Sequence, residues 1–178
     1  MALTQLLFYY CIVLPVFLST GSIPVTDNLS IFLIVFSSLT IAAAGYIIND
    51  YFDVNMDLIN KPEKIVIEKH IHRRSAIIWH WVLSGLGVLL GFWAGYRLGV
   101  FWLGPANMFC AILLWFYSTI FKKKLLSGNV IISLLTAWVV LVMGFVNLYL
   151  IMINNSSLQL SISDVSHISK FTFLYAGF

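Results

Sequence analysis

The feature that most constrains this chain is the spacing of its charges. No Asp, Glu, Lys or Arg occurs in residues 1–26, 28–49, 75–96, 98–121 or 125–163. Each run reaches the ~20 residues that a helix, rising ~1.5 Å per residue, needs to cross ~30 Å of hydrocarbon. Helices satisfy their own backbone hydrogen bonds, which is what a water-free environment demands. Composition agrees: 61% of the 178 residues are hydrophobic and 10% are charged, with a mean hydropathy of +0.96. A soluble domain of this length has too little interior to bury so much apolar surface. The expectation is an all-α, polytopic transmembrane helix bundle, with residues 1–178 forming a single membrane domain.

Spans are predicted at Leu6–Val25, Leu29–Ile48, Ala76–Tyr96, Val100–Phe121 and Val130–Ile153, with a sixth beginning near Ile168. From Ile168 to Phe178 only ~11 residues remain, too few to cross. The domain is therefore expected to be incomplete at its C terminus: five spans plus the start of a sixth. Lysine and arginine set the orientation. Lys61, Lys64, Lys69, Arg73 and Arg74 follow the second span, and Lys122, Lys123 and Lys124 follow the fourth, leaving Arg97 and Lys170 on the other side. The positive-inside rule then puts both basic loops and the N terminus in the cytoplasm of a multi-pass cell-membrane protein. The net charge of +3 sits on one face. It suits anionic headgroups or an anionic substrate and gives no reason to expect a nucleic acid.

Where the second span ends, "GYIINDYFDVNMDLINKPEK" (Gly45–Lys64) puts Asn49, Asp50, Asp53 and Asp57 in quick succession. At ~100° per residue with Asn49 at 0°, Asp53 falls near ~40°, Asp57 near ~80° and Asp50 near ~100°. One quarter-turn arc of helix then carries four oxygen-bearing side chains over ~12 Å of axis. Like charges so placed repel, and the arrangement calls for a cation. Hard oxygen donors that leave coordination positions open suit Mg²⁺, which takes the rest of its shell from water and phosphate. A solvated helix end paired with lysines is the bland alternative, but carboxylates on one face of an apolar helix point to function. An EF-hand is excluded. Asp53–Asp57 fits its first five positions, but Leu58 stands where its glycine must turn and Lys64 where its bidentate glutamate belongs.

Pro62 turns the chain after the acids, so that Lys61 and Lys64 can return towards them. The second basic loop adds Tyr117, Lys122 and Lys123. Acidic metal ligands and two lysine clusters on one membrane face suit a diphosphate, whose oxygens are shared between metal and ammonium groups. Any single lysine here also satisfies plain membrane topology. His70, His72, His80 and His167 show no ligand spacing and are read as interfacial or packing residues, and Cys11 and Cys110 both lie in predicted spans.

"NDYFDVNMD" (Asn49–Asp57) resembles the NDxxDxxxD signature of the UbiA superfamily of intramembrane prenyltransferases. "INKPEK" (Ile59–Lys64) is similar to that family's Ile-Asn-Arg-Pro-x-Arg continuation, and "YSTIFKKKLLSGN" (Tyr117–Asn129) to its second loop. The resemblance runs from about Leu3 to the end and is nearest the geranylgeranylglycerol-phosphate geranylgeranyltransferase-like branch. It implies the N-terminal part of a normally nine-helix bundle whose central cavity holds a polyprenyl diphosphate through Mg²⁺. Asn49, Asp50, Asp53 and Asp57 would be the metal set, with Asp53 and Asp57 the essential pair. Lys61, Lys64, Tyr117 and Lys122 would contact the diphosphate. Lysine at 61 and 64 replaces the family's arginine and loses its bidentate fork. Glu68 and His72 stand where relatives carry small or hydroxyl residues, the opening Arg-Pro-x-Asn segment is absent, and so is a second Asp-x-x-x-Asp motif.

The implied activity moves a polyprenyl group from its Mg-bound diphosphate to a lipid, quinone-precursor or glycerol-phosphate acceptor. The competing expectation is a catalytically inactive fragment or paralogue with a structural role in the membrane. A cation transporter fits less well, because the acids sit at the membrane edge and not at mid-depth. A CDP-alcohol phosphotransferase fits less well too, since Tyr51 and Val54 follow the aspartates where that enzyme needs glycine and an Ala-Arg pair.

Overall fold

A computed structural model describes residues 2–19, 26–60, 67, 71–153 and 162–177. The named elements are all helical: α1 (Ala2–Phe8), a π-helical turn (Tyr9–Val13), α2 (Leu14–Ser19), α3 (Asn28–Asn60), α4 (Arg73–Leu98), α5 (Leu103–Thr119), a 3₁₀ turn (Phe121–Lys123), α6 (Leu125–Ile153) and α7 (Ile162–Ala176). The chain is a helical membrane protein, as its charge-free runs require. Among the described residues, three helical stretches are both long and apolar enough to cross a bilayer: Asn28–Val54, Arg73–Leu98 and Leu126–Ile153. Of the other two expected spans, the first runs to Val25 and its last residues, 20–25, lie outside the described ones, while the second is shorter than expected. Ala2–Leu18 is a short apolar helix, and α5 has 17 residues, ~26 Å at the standard rise.

The boundaries have local causes. Pro15 has no N–H to give to the Cys11 carbonyl and its ring crowds it; the π turn just ahead, where the Leu14 N–H reaches Tyr9 O, widens the helix and absorbs the conflict. Pro105 is the third residue of α5, inside the first turn, where no intrahelical N–H is needed. The α4–α5 turn begins at Gly99, with φ 70°, the left-handed conformation that glycine adopts without penalty. At 33 residues α3 is ~50 Å long, so its C-terminal turns project beyond a ~30 Å hydrocarbon layer.

Packing follows membrane logic. Along α4 the buried residues are Ala76, His80, Ser84, Gly87, Gly91, Ala94 and Gly95, while Trp79, Trp81, Leu89 and Trp93 are exposed. Lipid solvates large apolar side chains, so helices meet through their small residues. Ser37 of α3 donates to the Gly87 carbonyl at 2.7 Å, and Asn107 of α5 donates to Ser37 Oγ at 2.6 Å, tying three helices together. A second core joins the N-terminal helices to α3, α6 and α7 through Phe8, Phe17, Ile34, Met143 and Ile168. Arg97 pairs with Asp27 at 3.1 Å, which puts the start of α3 beside the end of α4. The acidic end of α3 and the Lys122 loop meet at the opposite end of the bundle.

Candidate functional site

Asn49 and Asp53 are one turn apart on α3, and Asn49 Nδ2 donates to Asp53 Oδ2 at 3.3 Å. Lys122 arrives from the 3₁₀ turn that links α5 to α6. Its ammonium donates to Asn49 Oδ1 at 2.8 Å and forms an ion pair with Asp53 Oδ2. The two oxygens thus converge on one cationic centre supplied by a residue about 70 positions away in sequence. Asp53 and Lys122 keep 25% and 32% of their side-chain surface, so the pair is shielded yet open to a ligand from water. Asp50 is exposed on the same helix. Asp57 lies one turn beyond Asp53 on α3, with its side chain outside the described residues, as are Lys61 and Lys64 altogether.

The loop that delivers Lys122 is closely fitted. Lys124 N–H bonds Phe121 O at 2.9 Å, and Gly128 N–H bonds Lys124 O at 3.0 Å. A Cβ on Gly128 would lie 2.7 Å from the Phe121 carbonyl oxygen, so only glycine lets the first turn of α6 come this close. Gly128 therefore belongs to the site's geometry though it carries no chemistry.

Below the polar cluster, α3, α5 and α6 enclose a cavity of about 320 Å³. Asn49 and Tyr117 line it nearest the Lys122 end, Gly45 and Cys110 lie midway, and Ser38, Asn107 and Trp138 line the far end. From Asn49 to Ser38 is eleven residues of α3, ~17 Å along the axis. A charged mouth over an apolar, elongated chamber matches a molecule with an anionic head and a hydrocarbon tail. A larger cavity, about 620 Å³ between α4 and α5, is lined by His80, Trp81 and Trp115 and contains none of the candidate metal or diphosphate residues. His80 is a packing residue: its Nδ1 is 2.9 Å from Ala44 O, and its ring lies against Trp115.

Among the described residues, no group of three or more His, Cys, Asp or Glu side chains is close enough to hold a metal ion. The donors that are described still fit magnesium in kind. Asn49 and Asp53 offer hard oxygens already directed at a shared positive charge, the ligand type that a small divalent cation selects.

The gathering of Asn49, Asp53, Tyr117 and Lys122 was legible from motif spacing; the cavity walls were not. Trp138 and Gly45 are apolar or small members of apolar runs, in which nothing separates an inward-facing residue from a lipid-facing one. Asn107 is a lone polar residue in such a run, the one signal that could have found it.

The profile of the UbiA prenyltransferase family matches residues 6–159. A digeranylgeranylglyceryl phosphate synthase from Ignicoccus hospitalis is 39% identical over 101 residues, covering 57% of this chain and 32% of the relative. One of the same name from Methanosarcina barkeri is 36% identical over 118 residues, 66% of this chain and 38% of the relative. Another, from Methanospirillum hungatei, is 34% identical over 129 residues, 71% of this chain and 42% of the relative. The chain thus spans about a third to two-fifths of the length of these curated relatives. No solved structure matches it.

Proposed function

The chain belongs to the UbiA prenyltransferase family, and on that premise we propose that the protein transfers a polyprenyl group from its diphosphate to a membrane-borne acceptor. The observation that carries this reading is the contact of Lys122 with Asn49 and Asp53 at the mouth of an apolar cavity. The diphosphate head sits at the mouth and the prenyl tail lies below it. The relatives' names specify a product with two geranylgeranyl groups on a glyceryl phosphate. The acceptor class that follows is a glyceryl phosphate already bearing one prenyl chain, with its hydroxyl as nucleophile. Residues 1–178 act as one membrane unit, with the basic loops on the cytoplasmic face of the cell membrane.

Asn49, Asp50, Asp53 and Asp57 would hold the magnesium ion; when bound, it neutralises the charge that grows on the leaving diphosphate. Lys122 is already at this point and supplies a second positive charge, aided by Lys61, Lys64 and the Tyr117 hydroxyl. In the reaction the allylic C1–O bond breaks and its electron pair leaves with the diphosphate. The acceptor oxygen forms the new C1–O bond and gives up its proton to solvent or to the departing diphosphate. The α3–α5–α6 cavity keeps water from the allylic carbon in the meantime.

Membranes carrying the full-length protein, given labelled geranylgeranyl diphosphate and geranylgeranylglyceryl phosphate, test the proposal. Label is expected in an ether-linked lipid with Mg²⁺ and not with EDTA. Label that stays in the diphosphate with Mg²⁺ present contradicts it.

A further inference from the structure

The far end of the cavity differs chemically from its walls, and we infer that Trp138, flanked by Ser38 and Asn107, sets the length of prenyl chain the protein accepts. The inference rests on the proposed reading of the cavity as the prenyl site and adds which residue measures the tail.

The helices place the three residues on one level. α3 and α5 run the same way, from the Arg97 end to the Lys122 end, and α6 runs back. Ser38 and Asn107 are the earliest cavity residues of α3 and α5, while Trp138 and Val139 are the last of α6. One turn further on, Ile34, Leu103 and Met143 are buried in solid core. The space therefore stops at Trp138, whose ring is held by Trp102 at 6.4 Å and Phe145 at 6.3 Å.

This end is also polar. Asn107 is 5% exposed and donates to Ser37. Behind Ser38 lies Gln5 of α1, wholly buried, whose Nε2 donates to Ser38 Oγ at 3.1 Å and to Val139 O at 2.6 Å. Gln5 Oε1 and Trp138 Nε1 are buried with no hydrogen-bond partner among the described residues. The bulk of Trp138, backed by Trp102 and Phe145, stops the tail at one depth. Ala42 lines the same cavity one turn nearer the mouth, so enlarging it shortens the chamber by ~6 Å of helix axis.

The test is competition among C10, C15, C20 and C25 prenyl diphosphates for the full-length protein with Mg²⁺, read as ratios of kcat/KM. Trp138→Ala is expected to move the preference at least ~10-fold towards longer donors, and Ala42→Leu at least ~10-fold towards shorter ones, as a few methylenes in a fitted pocket imply. Trp138→Phe keeps most of the bulk and is expected to shift the ratios less than Trp138→Ala. If Trp138→Ala does not fold, the shift towards shorter donors in Ala42→Leu carries the test. Wild-type transfer with ratios that neither variant changes overturns this inference and leaves the proposed activity intact. Absence of wild-type transfer from every donor overturns both.

Discussion

At the scale of single residues, the site turns on two oxygens and one ammonium. The Lys122–Asp53 pair keeps about a quarter to a third of its side-chain surface, and pairs this exposed add only ~0–1 kcal/mol to stability. A charge-assisted bond to phosphate in transit is worth ~1.5–3 kcal/mol, or roughly 10- to 100-fold in rate. Lys122→Gln is therefore expected to lower kcat/KM by about that factor while the unfolding midpoint in detergent moves by no more than a degree or two. Steady-state kinetics beside a thermal melt checks this. A large fall in the melting point with unchanged kinetics would make Lys122 a structural residue. The acidic periodicity called for a cation on that helix face, read from sequence as magnesium. The described neighbour is the Lys122 ammonium, the kind of lysine partner the bland alternative supplied. No such argument reaches Trp138 or Asn107.

At the scale of elements, α3 is the helix that its sequence describes best: an uncharged run followed by carboxylates at helical spacing gives one rod of 33 residues that emerges from the membrane. The N-terminal segment is read less well, since the effect of Pro15 depends on whether a π turn forms ahead of it, and periodicity does not encode that. The start of α6 at Leu125, five residues before the predicted span, escaped for another reason. Hydropathy marks the membrane, whereas the helix begins where the Phe121–Gly128 turn closes. That turn yields a prediction. Gly128→Ala sets a Cβ against a backbone oxygen at 2.7 Å, and overpacking of this kind costs ~1–3 kcal/mol. The variant is expected to melt several degrees lower in detergent and to lose activity beyond the loss in folded protein, because the strained turn is the one that carries Lys122. Activity per folded molecule equal to wild type would contradict that coupling.

At the scale of the whole molecule, the two charged ends of the bundle differ. Asp27 and Arg97 close one end, and the acidic helix end with Lys122 and Arg73 forms the other. Single cysteines placed at Arg74 and Lys124, in a background with Cys11 and Cys110 replaced, are expected to react with an impermeant thiol reagent only from the cytoplasmic side. A cysteine at Asp27 is expected to react only from the opposite side. Labelling of all three from one side would contradict the arrangement. The central claim is that the oxygen-bearing face of α3 serves a prenyl diphosphate. Its most direct test is Mg²⁺-dependent prenyl transfer by Asp53→Ala and Asp57→Ala in membranes of the full-length protein, at matched expression. The account predicts that each variant loses more than the ~10–100-fold typical of disturbing a supporting contact at a metal site; transfer at near wild-type rates by both would contradict it.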